Sequence, residues 1–258
     1  MKISRTRTER AVVLRSIEYG DKDLIVTFLM ADEGKRTAIA KGGKVSKKRF
    51  AGSLELFRVC DVTYSEGSRK DTMAILKEST VVEDFRHIEA SFDKIAIGSY
   101  GTELTRELLR DGEGQGEILD ALVGFYRRLH HQEEHAARLE ADLHTFILHL
   151  LGLSGYAPQL THCVHCGLAV DQGQRLLFSR RGDGALCQPC RDSGQSTLDT
   201  TAPVLLTLAE LSTGYADIER EPVPVALLRQ GRQLVFTLVR AILSRDLRSY
   251  STLKMVMP

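Results

Sequence analysis

The sequence predicts a multidomain α+β chain. Three observations carry that reading: five short β-favouring segments before residue 83, helical periodicity beyond it, and two C-x-x-C pairs that interrupt the helical part. With 258 residues and 43% hydrophobic content, the chain can bury two or three cores.

The β-favouring segments are Ala11 to Ile17, Leu24 to Met30, Arg36 to Ala40, Leu54 to Tyr64 and Thr72 to Lys77. Turn signals separate them: Tyr19-Gly20-Asp21, Asp32-Glu33-Gly34, a basic glycine-bearing loop, and Ser65-Glu66-Gly67-Ser68. Short strands in such a short span suggest a closed barrel, because closure removes exposed sheet edges. An OB-like barrel over residues 1–82 is the leading expectation, with an SH3-like barrel second, since strand count alone does not separate them.

Helical spacing then takes over. Ile97, Tyr100, Leu104 and Leu108 form one stripe, Ile118, Leu122, Phe125 and Leu129 a second, and Leu139, Leu143, Phe146, Ile147 and Leu150 the widest. The glycine-rich Asp111 to Gly116 reads as a linker. A later pair of helices is expected at about Val204 to Ile218 and at Val225 to Leu243. The helical domain is therefore assigned to residues 83–158 and 196–258, with a four-cysteine module at 159–195 inserted between.

Cys163 and Cys166 are followed, after twenty intervening residues, by Cys187 and Cys190. A two-residue spacing lets one tight turn present two sulfurs to a single ion, and two such turns complete the tetrahedron that zinc accepts. Arg175 to Ser179 reads as a strand and Arg181 to Gly184 as a hairpin turn leading back to Cys187, which is a zinc-ribbon layout. Four thiolates leave no open coordination position, so the expected zinc is structural, one per chain. His162 and His165 are not needed for a ligand set and read as exposed. Cys60, alone in an apolar stretch, reads as core.

Catalytic signatures are missing. The sequence has no G-x-x-x-x-G-K-[ST], H-E-x-x-H or G-x-S-x-G. His87-Ile88-Glu89 matches half of a zinc-deaminase signature, but Leu186 stands where that signature needs proline before the cysteine pair. Asp21, Asp23, Asp32 and Glu33 read as solvated turn formers, and His130, His131 and His135 as an exposed helix end. The expectation is a binding protein, not an enzyme.

Charge indicates what it binds. The net charge is +1, yet residues 1–60 hold fourteen Lys or Arg against seven Asp or Glu. Arg36, Lys41, Lys44, Lys47, Lys48 and Arg49 lie in one stretch with no acid between them. Such a cluster repels itself unless a polyanion relieves it. A mobile loop is expected here, its glycine amides approaching phosphates and its lysines binding backbone with little regard to sequence. Tyr19, Phe28, Phe50, Phe57 and Tyr64 are available for base stacking, but their strand positions suit a barrel core at least as well. No apolar run is long enough to span a bilayer, and Met1 to Arg10 lacks the apolar core of a signal peptide, so the cytosol is the expected compartment.

In order, these parts resemble the bacterial RecO family of recombination mediators. The resemblance rests on Ala40-Lys41-Gly42 through Arg49-Phe50, on Tyr100 to Leu104, on Phe146 to Leu151 and Gly155 to Leu160 running into Cys163 and Cys166-Gly167, on the second cysteine pair, and on Leu247-Arg248-Ser249. Two departures stand out: lysines occupy loop positions where the family often has arginine, and Leu54-Glu55-Leu56-Phe57 replaces a usual L-Q-P-F. The resemblance implies an OB-fold first domain, a helical domain and a zinc module, acting without turnover. It implies binding of single- and double-stranded DNA, strand annealing, and contacts with single-strand-binding protein and RecR that help load RecA, at the nucleoid. Arg127, Arg128 and Arg138 lie beside apolar stripes but read as solvated helix faces. The competing readings are a zinc-ribbon transcription regulator and a nucleic-acid enzyme.

Overall fold

A computed structural model describes residues 6–66, 73–112, 116–133, 135–191, 196–213 and 222–257. The chain divides into two compact units, one of Met1–Gly98 with Thr105–His131, the other of Ser99–Leu104 with Gln132–Pro258.

The first unit is built on β1 (Thr6–Tyr19), β2 (Asp23–Met30), β3 (Gly34–Ala40), β4 (Arg58–Ser65) and β5 (Ala74–Asp84), closed in the order β1-β2-β3-β5-β4. All neighbours are antiparallel except β3 and β5, which run parallel over Ala38–Ala40. This is the OB-like barrel. Alternation places Ala11, Val13, Val26, Phe28, Met30, Ala38, Ala40, Val62, Tyr64 and Leu76 inside. A bulge between Val13 and Arg15 lets the long β1 bend and pair with β2 and β4.

Two strand boundaries differ from the sequence expectation. β4 starts at Arg58, not Leu54, because Phe50 and Leu54 turn inward from the loop and fill the barrel interior instead of pairing. β5 runs on to Asp84, held by an antiparallel ladder with β4 that the polar Lys77-Glu78-Ser79 does not advertise. Thr72, Gly67, Ser68 and residues 113–115 of the glycine-rich linker lie outside the described residues.

Helix α1 (Arg86–Glu89) and helix α3 (Gly116–His131) belong to the same unit. α3 lies against β1 and β2, where the outward-facing cross-strand partners Val12 and Leu29 are fully buried. Phe57, at φ 59, sets its ring edge-on to Tyr126 at 5.3 Å between centroids, and Arg127 grips Glu83 through two 2.8 Å bonds. Arg127 is thus a structural ion pair. The buried Arg58 is balanced by Glu89 at 2.9 Å, Asp84 at 3.2 Å and Glu55 at 3.6 Å, as a desolvated guanidinium requires. His130 is half-buried, stacked on His87 with centroids 4.3 Å apart, so that helix end is not simply exposed.

Helix α2 (Phe92–Leu108) is capped by Ser91, which accepts the Lys94 N–H, and its residues divide between the units. In the second unit, α4 (Ala136–Leu153), α5 (Ala202–Thr213) and α6 (Val225–Leu243) pack on one another. The expected continuation of α5 to Ile218 lies outside the described residues. Arg232 of α6 reaches Glu140 of α4 at 2.7 and 2.9 Å and the Met257 carbonyl at 2.6 Å, tying down the end of α7 (Tyr250–Val256). Between α4 and α5, β6 (Leu176–Ser179), β7 (Ala185–Cys187) and β8 (Thr197–Thr200) form a small sheet in the order β7-β6-β8. The hairpin turn falls where the sequence placed it. The third strand, β8, was not anticipated.

Candidate nucleic-acid interface and metal centre

The basic loop leaves β3 at Ala40 and is built from hydrogen bonds. Gly42, at φ 69, donates its N–H to Asp23 Oδ1 at 2.7 Å; Gly43 N–H bonds Ala40 O and Lys44 N–H bonds Lys22 O, each at 3.0 Å. Ser46 N–H returns to Gly42 O at 2.9 Å, and Arg49 O accepts the Ser79 N–H of β5. A side chain at Gly43 would press on Ala40 and Leu24 at about 3 Å. The expected mobile loop with free glycine amides is therefore corrected: these amides are already bonded within the protein. Asp23, expected to be merely solvated, is the loop's anchor, while Glu33 binds both Arg7 and Arg36.

These contacts sort the six cations. Arg36 is paired with Glu33. Lys44 Nζ bonds Glu18 Oε2 at 2.8 Å and Gly20 O at 3.1 Å. Arg49 donates to Lys41 O at 2.5 Å and lies over the Phe50 ring, 4.8 Å from its centroid. Lys41, Lys47 and Lys48 are exposed and, among the described residues, their side chains make no hydrogen bond or ion pair. They are the three with charge to offer. Sequence reasoning missed Lys22, which lies 26 or fewer positions upstream of these lysines yet is bonded through its carbonyl to the loop, and is likewise exposed. No local pattern marks it, because a hairpin turn brings it there.

The four cysteines converge. Cys163, Cys166, Cys187 and Cys190 place all their sulfurs within 4.8 Å of one another, with Cys166 and Cys187 3.7 Å apart. A tetrahedral zinc with bonds of about 2.3 Å separates its sulfurs by about 3.8 Å, whereas a disulfide needs about 2.05 Å. Two turns make the arrangement: Gly167, at φ 72, closes the first knuckle by donating to Cys163 O, and a 3₁₀ turn over Gln188–Cys190 makes the second. Val164 N–H bonds Ala185 O at 2.8 Å, joining the knuckles. Burial opposes ionisation of Cys163, but amides of Cys166, Cys187 and His165 bring it down to about 6, while hydrogen bonds with the Cys187 and Cys166 sulfurs push Cys190 up to about 12. Sulfurs this close cannot all ionise without a cation among them. The four residues fit one metal ion and are compatible with zinc. His162 and His165 are exposed and outside the cluster.

Cys60 is fully buried in the barrel, its thiol pushed up to about 11 by desolvation, as a core residue should be. Among the described residues, no helix is long and apolar enough to cross a membrane.

Fold and sites together define a mixed α+β protein in which an OB-like barrel carries a lysine loop and a helical region carries a four-cysteine cluster that fits a metal ion. The family model described as Recombination protein O N terminal matches residues 1–85, and that described as Recombination protein O C terminal matches residues 89–251. The DNA repair protein RecO of Anaeromyxobacter dehalogenans (strain 2CP-C) is 34% identical over 237 residues, 92% of this chain and 91% of its own. That of Myxococcus xanthus (strain DK1622) is 34% identical over 239 residues, 93% of each. The chain belongs to the RecO family of DNA repair proteins.

Proposed function

We propose that this protein is a recombination mediator that binds single- and double-stranded DNA, anneals complementary strands and, with RecR, helps load RecA onto single strands coated by single-strand-binding protein. It works without turnover, in the cytoplasm at the nucleoid, and carries one structural zinc on Cys163, Cys166, Cys187 and Cys190. The observation that carries the reading is the set of exposed, unpaired Lys41, Lys47 and Lys48 on a hydrogen-bonded loop of an OB-like barrel. Lys44 and Arg49 support that loop through their contacts, and Arg36, paired with Glu33, adds to its field. Cations fixed in place lower the repulsion between two polyanions while leaving bases free to pair.

The test is annealing of complementary strands coated with single-strand-binding protein, with and without RecR, by the wild type and by a variant with Lys41, Lys47 and Lys48 changed to Ala. The variant is expected to lose most of the annealing rate. Equal rates would remove the loop from the mechanism, and selective binding of one duplex sequence would favour a transcription regulator.

A further inference from the structure

The outer wall of the barrel has two parts. Where α3 packs, the outward-facing Val12 and Leu29 are sealed. Nearer the basic loop, a different row crosses the sheet: Ile17 of β1 opposes Ile25 of β2, Ile25 opposes Ile39 of β3, and Ile39 opposes Ile75 of β5. Direct partners share a face, so four isoleucines form one continuous ridge about 14 Å long at an interstrand spacing of about 4.8 Å. Their neighbours Val26, Ala38 and Leu76 point inward, which fixes this row as outward.

Ile17 is 38% exposed and Tyr19, two residues further on the same face, is 55% exposed; the other three are half-buried side by side. Cations flank the ridge. Lys41 follows Ile39 by two residues, Lys77 follows Ile75 by two, and Arg15 precedes Ile17 by two. All three are exposed and, among the described residues, their side chains make no hydrogen bond or ion pair. The nearby carboxylate of Asp23 is occupied by the Gly42 amide. Apolar surface bordered by free positive charge matches a ligand that presents flat apolar groups and a regular line of negative charge.

Resting on the DNA-binding reading, we propose that the isoleucine ridge and Tyr19 form a platform for the unpaired bases of a single strand, with Lys41, Lys77 and Arg15 holding its phosphates. A duplex hides its base faces and meets only the cations. The two forms therefore use different parts of one surface, and the ridge sets the preference for single strands. An acidic, apolar peptide shares some of this chemistry but lacks the evenly spaced charge.

The test compares the wild type with Tyr19→Ala combined with Ile17→Thr, the two most exposed positions, and with Tyr19→Phe, which keeps the ring. Thermal melts establish that each is folded, and titrations use oligo(dT) and a duplex of mixed sequence over a range of salt. Loss of one stacked base should weaken oligo(dT) binding about tenfold in the double variant, leave duplex binding within about twofold, and leave the salt slope unchanged; Tyr19→Phe should bind like the wild type. Oligo(dT) substituted with 5-iododeoxyuridine should crosslink within Ser16 to Lys22. Equal losses on both DNA forms, or no loss on either with crosslinks elsewhere, would overturn the platform while leaving DNA binding intact. Retained oligo(dT) affinity with loss of binding to an acidic, apolar peptide would assign the ridge to protein. If the wild type binds neither DNA, the functional reading fails and the platform with it.

Discussion

The Gly42 N–H lies 2.7 Å from Asp23 Oδ1, so an acid is what holds the most basic loop of the protein in place. Removing a negative charge near a DNA site should strengthen binding by simple electrostatics; removing the anchor of the loop should weaken it. We expect the anchor to win. Asp23→Ala should cost about 1.5–3 kcal/mol of stability, the range for a hydrogen bond to a charged group, and should lower affinity for both DNA forms. Thermal unfolding and binding titrations check both parts.

Lys41, Lys47 and Lys48 are expected to act as point charges. Changing all three to Ala should reduce the magnitude of the slope of log K against log salt by about 2.7 on duplex and about 2.1 on single strands. Changing Lys44 or Arg36, whose charges already face Glu18 and Glu33, should move the slope less per residue. Titrations in a salt series separate the two groups.

A thiol-competing chelator should release one zinc per chain and remove amide protection from β6 and β7, while the barrel keeps its protection. Cys166→Ser should lower the metal content of purified protein in the same way. Metal analysis with hydrogen exchange reads both, and full protection after complete metal loss would deny the metal its structural role.

Glu140 and Arg232 form a buried pair with Glu140 only 4% exposed, so Arg232→Ala should destabilise by about 3–5 kcal/mol by stranding the carboxylate. Denaturant unfolding measures this. A pair of matched apolar replacements should cost much less.

His144 is fully buried beside that pair, 3.7 Å from Glu140, and burial pushes it down to about 4. A histidine held neutral in the fold binds its proton more readily when unfolded. Its contribution is complete above the ordinary histidine value of about 6.5 and is lost as pH falls from there towards about 4. His144→Phe should flatten the stability curve across that window, measured by denaturant midpoints from pH 7 to pH 4.

Much of this protein can be read along the chain because the chemistry is local. Two-residue cysteine spacing specifies a knuckle, since the turn that presents both sulfurs is short, and alternating or helical apolar spacing reports the face that meets a core. The barrel, the α2, α3, α4 and α6 stripes and the four-cysteine cluster were legible for that reason. Charge counting also located the basic loop, since six cations without an acid are visible in any window. What a window cannot see is pairing between distant residues. Glu18 and Glu33 take up Lys44 and Arg36 through the barrel's hairpins, Asp23 binds the Gly42 amide, Phe50 turns inward from the basic loop, and Leu54 does so from a stretch that looks like strand. The isoleucine ridge is the clearest case: Ile17, Ile25, Ile39 and Ile75 are unremarkable one by one in sequence, and only strand register, set by hydrogen bonds between four separate segments, lines them up beside the lysines.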